Sequence, residues 1–185
     1  MFNWQKTLIL IQGLPSSGKS TIARTLVPSM AQIVENDDYF MVPTPEGKKY
    51  LYVGEMIPLA VQWCESEAFR RLMVFDTIVV ANTFIKRAHV LSYVDTAIDF
   101  KVNVKILMPN TSWAFDVQEC FKRNTHGCPL DVIQRMHDGF EVVSQADIDQ
   151  YVTDNEYRLT KYRVYKGSTL LCGYSNTSVT GIRFV

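Results

Sequence analysis

The run Gly13-Leu14-Pro15-Ser16-Ser17-Gly18-Lys19-Ser20 fits the pattern G-x-x-x-x-G-K-[ST], and each fixed position has a chemical reason. Gly13 and Gly18 allow backbone angles that turn successive N–H groups inward. A helix starting behind them adds its positive end, so the loop is a nest shaped for a triphosphate. Lys19 should reach the β and γ phosphates, and Ser20 should place its hydroxyl on a Mg²⁺ ion bridging them. Ser16, Ser17 and Thr21 complete the set expected to hold the nucleotide. The loop therefore implies binding of a nucleoside triphosphate and leaves the acceptor to be found elsewhere.

Three further clusters could supply it. In Asn36-Asp37-Asp38-Tyr39-Phe40 a carboxylate facing the nest could take the proton of an attacking hydroxyl, a role worth about 10² to 10⁴ in rate; the same residues also suit a turn that caps a short helix. Asn82-Thr83-Phe84, followed by Lys86, Arg87 and His89, reads equally as acceptor contacts or as a solvated basic helix start. Lys122-Arg123-Asn124-Thr125-His126-Gly127-Cys128-Pro129 joins two cations to a Gly and Pro loop. That fits a lid swinging a cation over the transferring group, or cations completing a helix C-terminus. His126 alone reads as a surface residue, and the segment's spacing offers no metal site.

These residues act together only if the fold brings them to one edge. Residues 7–12, 32–35, 74–81 and 101–108 are short apolar runs that read as strands. Helices are expected over 19–27, 57–73, 86–97, 112–123 (capped by Ser112) and 131–143, with a loop holding Pro43, Pro45 and Gly47. Such alternation predicts an α/β fold, a parallel sheet flanked by helices, with ligands beyond the carboxyl ends of the strands. After residue 150 the pattern changes to short β-prone runs at 157–165, 169–174 and 178–185. The expected organisation is thus one main domain over 1–150 and a small antiparallel β extension over 151–185.

Composition bounds the rest. The 185 residues are 47% apolar and 21% charged, a globular balance. No apolar run is long enough to cross a bilayer and the N-terminus lacks signal-peptide features, so a cytoplasmic protein without membrane contact is expected. Cys64, Cys120, Cys128 and Cys172 form no C-x-x-C pair and read as free thiols. The 19 cations equal the 19 acids, which argues against coating long duplexes but not against reading a strand end. Residues 155–185 carry five cations against Glu156 alone, interleaved with Tyr157, Tyr162, Tyr165, Tyr174 and Phe184. That mixture suits either a single strand or packing against the core.

Taken together, GLPSSGKST, NDDYF, VVANTF, PNTSW and KRNTHGCPLDVIQRM stand in the order and spacing of the phage-type polynucleotide 5′-hydroxyl kinase family, over residues 7–143. The chain is also similar to the P-loop half of the myelin cyclic-nucleotide phosphodiesterase and to small ATPases with an RNxHG lid. The resemblance implies an adenylate-kinase-like P-loop core that transfers the γ-phosphate of ATP, with Mg²⁺, to the 5′-hydroxyl of an RNA or DNA end in repair or processing. It places the catalytic base on Asp37 and the lid arginine on Arg123, and Lys19 and Ser20 match directly. Two departures stand out. Phe40 occupies the position of an acceptor-holding arginine; it could stack on a base but cannot pair with a phosphate. Ala81 stands where relatives place an acid, leaving Mg²⁺ to Ser20, phosphates, water and Asp37. A small-molecule kinase and an ATP-binding nucleic-acid module with weak catalysis are the alternatives.

Overall fold

Thr-Leu-Ile-Leu-Ile, apolar on both faces, forms β1 (Thr7–Ile11), and its four residues after Thr7 are buried. A computed structural model of the chain describes residues 5–155 and residue 157. β2 (Ile33–Val34), β5 (Thr77–Ala81) and β6 (Asn103–Leu107) run parallel to β1 in the order β2-β5-β1-β6. The register aligns Ile11 with Ala81 and with Leu107, and Val34 with Val80, so every strand ends at the same edge of the sheet.

Helices cover both faces. α1 (Lys19–Leu26) lays Ala23 on Ile9, Ile11, Ile33, Val79 and Ala81. The opposite side chains of the same strands, Leu8, Leu10, Val34, Ile78 and Val80, bury against α2 (Ile57–Leu72), α3 (Arg87–Phe100) and α6 (Gln145–Asn155). The parallel α/β architecture expected from the alternation is therefore present. Among the described residues no helix is long and apolar enough to cross a membrane.

The structure differs from expectation at four places. The Pro43–Gly47 region is not a plain loop: β3 (Met41–Thr44) and β4 (Gly47–Tyr50) form an antiparallel ribbon, with Pro43 opposite Lys48. A two-stranded ribbon has only edges, so a proline's missing N–H is tolerated there. Ser112 caps no helix; α4 (Val117–Lys122) begins later, where Asp116 accepts the amide of Glu119 at 3.0 Å. The helix expected to reach residue 143 stops as α5 (Leu130–Asp138), because Gly139 ends it and Glu141 and Val143 turn their amides to Ile85 O and Gln12 Oε1. α6 then starts afresh, with Ser144 and Asp147 bonding each other's backbone and side chains.

The small antiparallel sheet of the described chain is thus at residues 41–50. Of the β extension expected over 151–185, residues 151–155 are the end of α6, which runs through the boundary drawn at position 150, and the β-prone runs after residue 157 lie outside the described residues.

Candidate functional site

The loop after β1 reaches α1 through two left-handed residues, Ser16 (φ 58°) and Gly18 (φ 104°). A Cβ on Gly18 would stand 3.2 Å from the Thr111 methyl, and one on Gly13 would stand 2.8 Å from Ser17 Oγ and 3.1 Å from Pro109. Close approach favours glycine at both positions, and at Gly18 the left-handed backbone angle requires it as well. No side chain caps α1 at Gly18, so its first-turn amides stay available to an anion. The Ser17 hydroxyl is buried without a hydrogen-bond partner among the described residues. Thr21 is exposed one turn along.

Lys19 is 9% exposed and donates to the Leu14 carbonyl at 2.7 Å, folding back over its own loop. Burial lowers its pKa to about 8, against the opposing pull of Glu35 and Asp37. A buried ammonium short of counter-charge is a receptor for phosphate oxygens.

Ser20 donates its hydroxyl to Glu35 Oε1 at 2.6 Å. Glu35 stands just past β2, and burial raises its carboxyl above the ordinary range although the Ser20 bond opposes this. A carboxylate therefore reaches the mouth of the nest from β2, where β5 ends in Ala81. Ser20 and Glu35 form a hard-oxygen pair that suits Mg²⁺. Among the described residues no three His, Cys, Asp or Glu are grouped to hold a metal unaided, so an ion here would draw its other ligands from phosphates and water.

Asp37 lies on a 3₁₀ turn over Asn36–Phe40. The turn is fixed from below by Asn82, whose Oδ1 accepts the Asn36 amide at 2.8 Å and whose Nδ2 donates to Asn36 Oδ1 at 3.0 Å. The buried Asn82 is thus a positioning residue at the tip of β5. Asp37 Oδ1 accepts the Tyr50 hydroxyl at 2.9 Å, while Oδ2 faces His126 Nε2 at 3.9 Å. Both Asp37 and His126 keep about half of their side-chain surface exposed. Phe40 cannot stack on an acceptor: it is 4% exposed, walled in by Tyr39, Tyr50 and Tyr52.

The segment from Trp113 to Ile133 packs directly on the nest. Cys120 of α4 and Ile133 of α5 bury Leu14, with Trp113 beside them. Trp113 donates its indole N–H to the Ser16 carbonyl at 3.3 Å, and the Arg123 guanidinium lies 4.5 Å over its ring while also pairing with Glu119. Arg123 is therefore held beside the nest by a surface ion pair and an aromatic ring. Lys86 and Arg87 pair with Glu141 and Asp147 at the start of α3.

Residues 8–143 match the AAA domain family model AAA_33, more than half of the chain. The chain belongs to this family. Its nest and sheet are those of a P-loop, kinase-like nucleotide-binding domain. This AAA domain is 32% identical over 139 residues to NEDD4-binding protein 2 of Homo sapiens, covering 72% of this chain and 8% of that protein. It is 26% identical over 142 residues to the 2′,3′-cyclic-nucleotide 3′-phosphodiesterase of Rattus norvegicus, covering 74% of this chain and 31% of that one. The chain thus corresponds to less than a third of either relative's length. Among solved structures it is similar to a gluconokinase from Sinorhizobium meliloti 1021, with TM-score 0.49, 15% identity and coverage of 90% and 100% of the two chains. A chain of the Pnkp1/Rnl/Hen1 RNA repair complex gives TM-score 0.47 and 18% identity, over 86% and 47%.

Sequence reasoning singled out Lys19, Ser20, Asp37 and Arg123: Lys19 and Ser20 begin α1 at the nest, Asp37 is close enough for its charge to act on Lys19, and Arg123 lies over Trp113, which bonds the nest at Ser16. It passed over Glu35, Trp113, Tyr50 and Asn82's clamp. A carboxylate ending a strand beside the nest was the one signal that could have found Glu35.

Proposed function

We propose that this domain is an ATP-dependent kinase that phosphorylates the 5′-hydroxyl of a nucleic acid end. The observation that carries the reading is the pairing of a phosphate nest around buried Lys19 with a half-exposed Asp37 carboxylate close enough for its charge to act on that lysine. The resemblance of its motifs to the polynucleotide kinase family supports the acceptor, as does a relative named for chemistry on 2′,3′-cyclic nucleotides.

In this reading the amides of residues 16–21 and the Lys19 ammonium hold the β and γ phosphates in line with the incoming hydroxyl. Asp37 accepts the hydroxyl proton on Oδ2, with Tyr50 fixing the other oxygen. The alkoxide oxygen bonds to the γ-phosphorus as the bond to the β,γ-bridging oxygen breaks, so ADP leaves with that electron pair. Arg123 leaves Glu119 to meet the charge on the equatorial oxygens. Ser20 and Glu35 would hold Mg²⁺, which neutralises charge on the β and γ phosphates when bound.

The test offers purified protein, Mg²⁺ and γ-labelled ATP a 5′-hydroxyl oligonucleotide, and separately a panel of nucleosides. Label on the oligonucleotide supports the proposal; label on nucleosides alone moves the acceptor to small molecules, the reading that zero net charge favours. ATP binding with no labelled acceptor leaves an ATP-binding module.

A further inference from the structure

The antiparallel ribbon stands beside Asp37. β4 places Lys48 and Tyr50 on the same side of its strand, because successive side chains alternate, and Tyr50 is the residue that holds Asp37. Tyr52 follows, stacked on Tyr50 with ring centroids 6.4 Å apart and planes 23° from parallel. Phe40 lies beneath it at 5.3 Å, and His126 flanks Tyr50 at 5.2 Å. Tyr52 nevertheless remains 56% exposed and Lys48 is exposed. An aromatic ring backed by a packed cluster, but open on its far side, is a platform already paid for in conformational freedom. The acceptor-holding arginine expected at position 40 is absent, and Phe40 itself is buried as the base of this platform.

From this we infer that the β3–β4 ribbon is an acceptor track, on which Tyr52 stacks a base of the strand continuing 3′ from the 5′-hydroxyl and Lys48 contacts a phosphate of the same strand. The inference rests on the proposed nucleic acid acceptor and adds its route. Two observations select a single strand as occupant. The platform leads straight to the Asp37 carboxylate through Tyr50, and it joins a π-face to an exposed ammonium, the combination that follows a single strand without reading its sequence. A protein partner would leave Lys48 without a role.

The experiment measures equilibrium binding of a 5′-hydroxyl single-stranded oligonucleotide by fluorescence anisotropy over a range of salt, without ATP, beside labelling of the same strand with ATP and Mg²⁺. Tyr52→Ala and Tyr52→Leu should weaken binding about tenfold with the salt slope unchanged, as loss of one stacked base requires, while Tyr52→Phe keeps the affinity. Lys48→Ala should lower the slope of log affinity on log salt by about 0.7, one phosphate on a single strand. Phe100→Ala removes another exposed aromatic, at the opposite end of α3, and should change neither. A wild-type protein that binds or labels the strand while both ribbon positions prove silent overturns the track and leaves the kinase reading intact. Strand binding that depends on Tyr52 without any labelling upholds the track and removes the kinase reading. A protein that labels nucleosides and neither binds nor labels the strand overturns both.

Discussion

The Ser20 hydroxyl is bonded to Glu35 Oε1 at 2.6 Å, linking the first turn of α1 to the end of β2 across the tip of β5, where Ala81 presents only a methyl group. Parallel strands that finish in register make this possible, because β2 and β1 deliver their carboxyl ends to one edge on either side of β5. A carboxylate thus reaches this edge from the neighbouring strand.

Removing that carboxylate should be felt through the metal. Glu35→Gln is expected to raise the Mg²⁺ concentration needed for half-maximal binding of a fluorescent ATP analogue about tenfold, because the amide that replaces the carboxylate brings no negative charge to the ion. Nucleotide binding whose Mg²⁺ dependence is unchanged would assign Glu35 to the turn alone.

Asp37→Asn keeps the volume and the bond from Tyr50 but removes the proton acceptor. Transfer should fall about 10² to 10⁴-fold with ATP affinity nearly unchanged. An undiminished single-turnover rate would eliminate Asp37 as base.

Arg123 is parked on Trp113 and Glu119 beside the nest. Arg123→Ala should lower kcat about 10³-fold or more and move KM for ATP little, since the charge it meets develops during transfer. A rise in KM with kcat preserved would make Arg123 a binding residue instead.

Asn82→Ala leaves the half-buried Asn36 amide and side chain without their partners. The loss should be about 1 to 3 kcal/mol in denaturant unfolding, with kcat reduced because Asp37 rides on the same turn. Asn82→Asp keeps the acceptor for the Asn36 amide and should recover part of the stability. Full activity in the alanine variant would separate the clamp from the chemistry.

Glu67 binds Arg70 and Arg71, and Arg71 continues to the Ile33 and Ala31 carbonyls at the start of β2. Hydrogen bonds from Arg70 and then Arg71 hold its carboxyl down at about 2 despite partial burial. A depressed carboxylate stabilises the fold fully above its unfolded value near 4.5 and loses that contribution as pH falls toward 2. Glu67→Gln should therefore cost about 1 kcal/mol at neutral pH and flatten the acid limb of the stability curve between those values. Parallel acid limbs in the two proteins would show that the network contributes nothing.

The amino-acid sequence by itself determined the nest, the alternation of strand and helix, and the side chains most able to do chemistry. Each is written in local signals: glycines at fixed spacing before Lys19, apolar runs of strand length, and a paired aspartate after a strand. The start of α6 was legible too, in Ser144 followed three residues later by Asp147, although an expected helix running through residue 143 concealed it. What only the tertiary structure decided were relations between residues far apart in the chain. Glu35 meets Ser20, Asn82 locks the Asp37 turn, Trp113 reaches Ser16, and the proline-bearing ribbon brings Tyr50 to Asp37. Periodicity reports which face of an element is apolar. Which strand tips become neighbours depends on crossover and register, and these are set by burying the whole sheet at once.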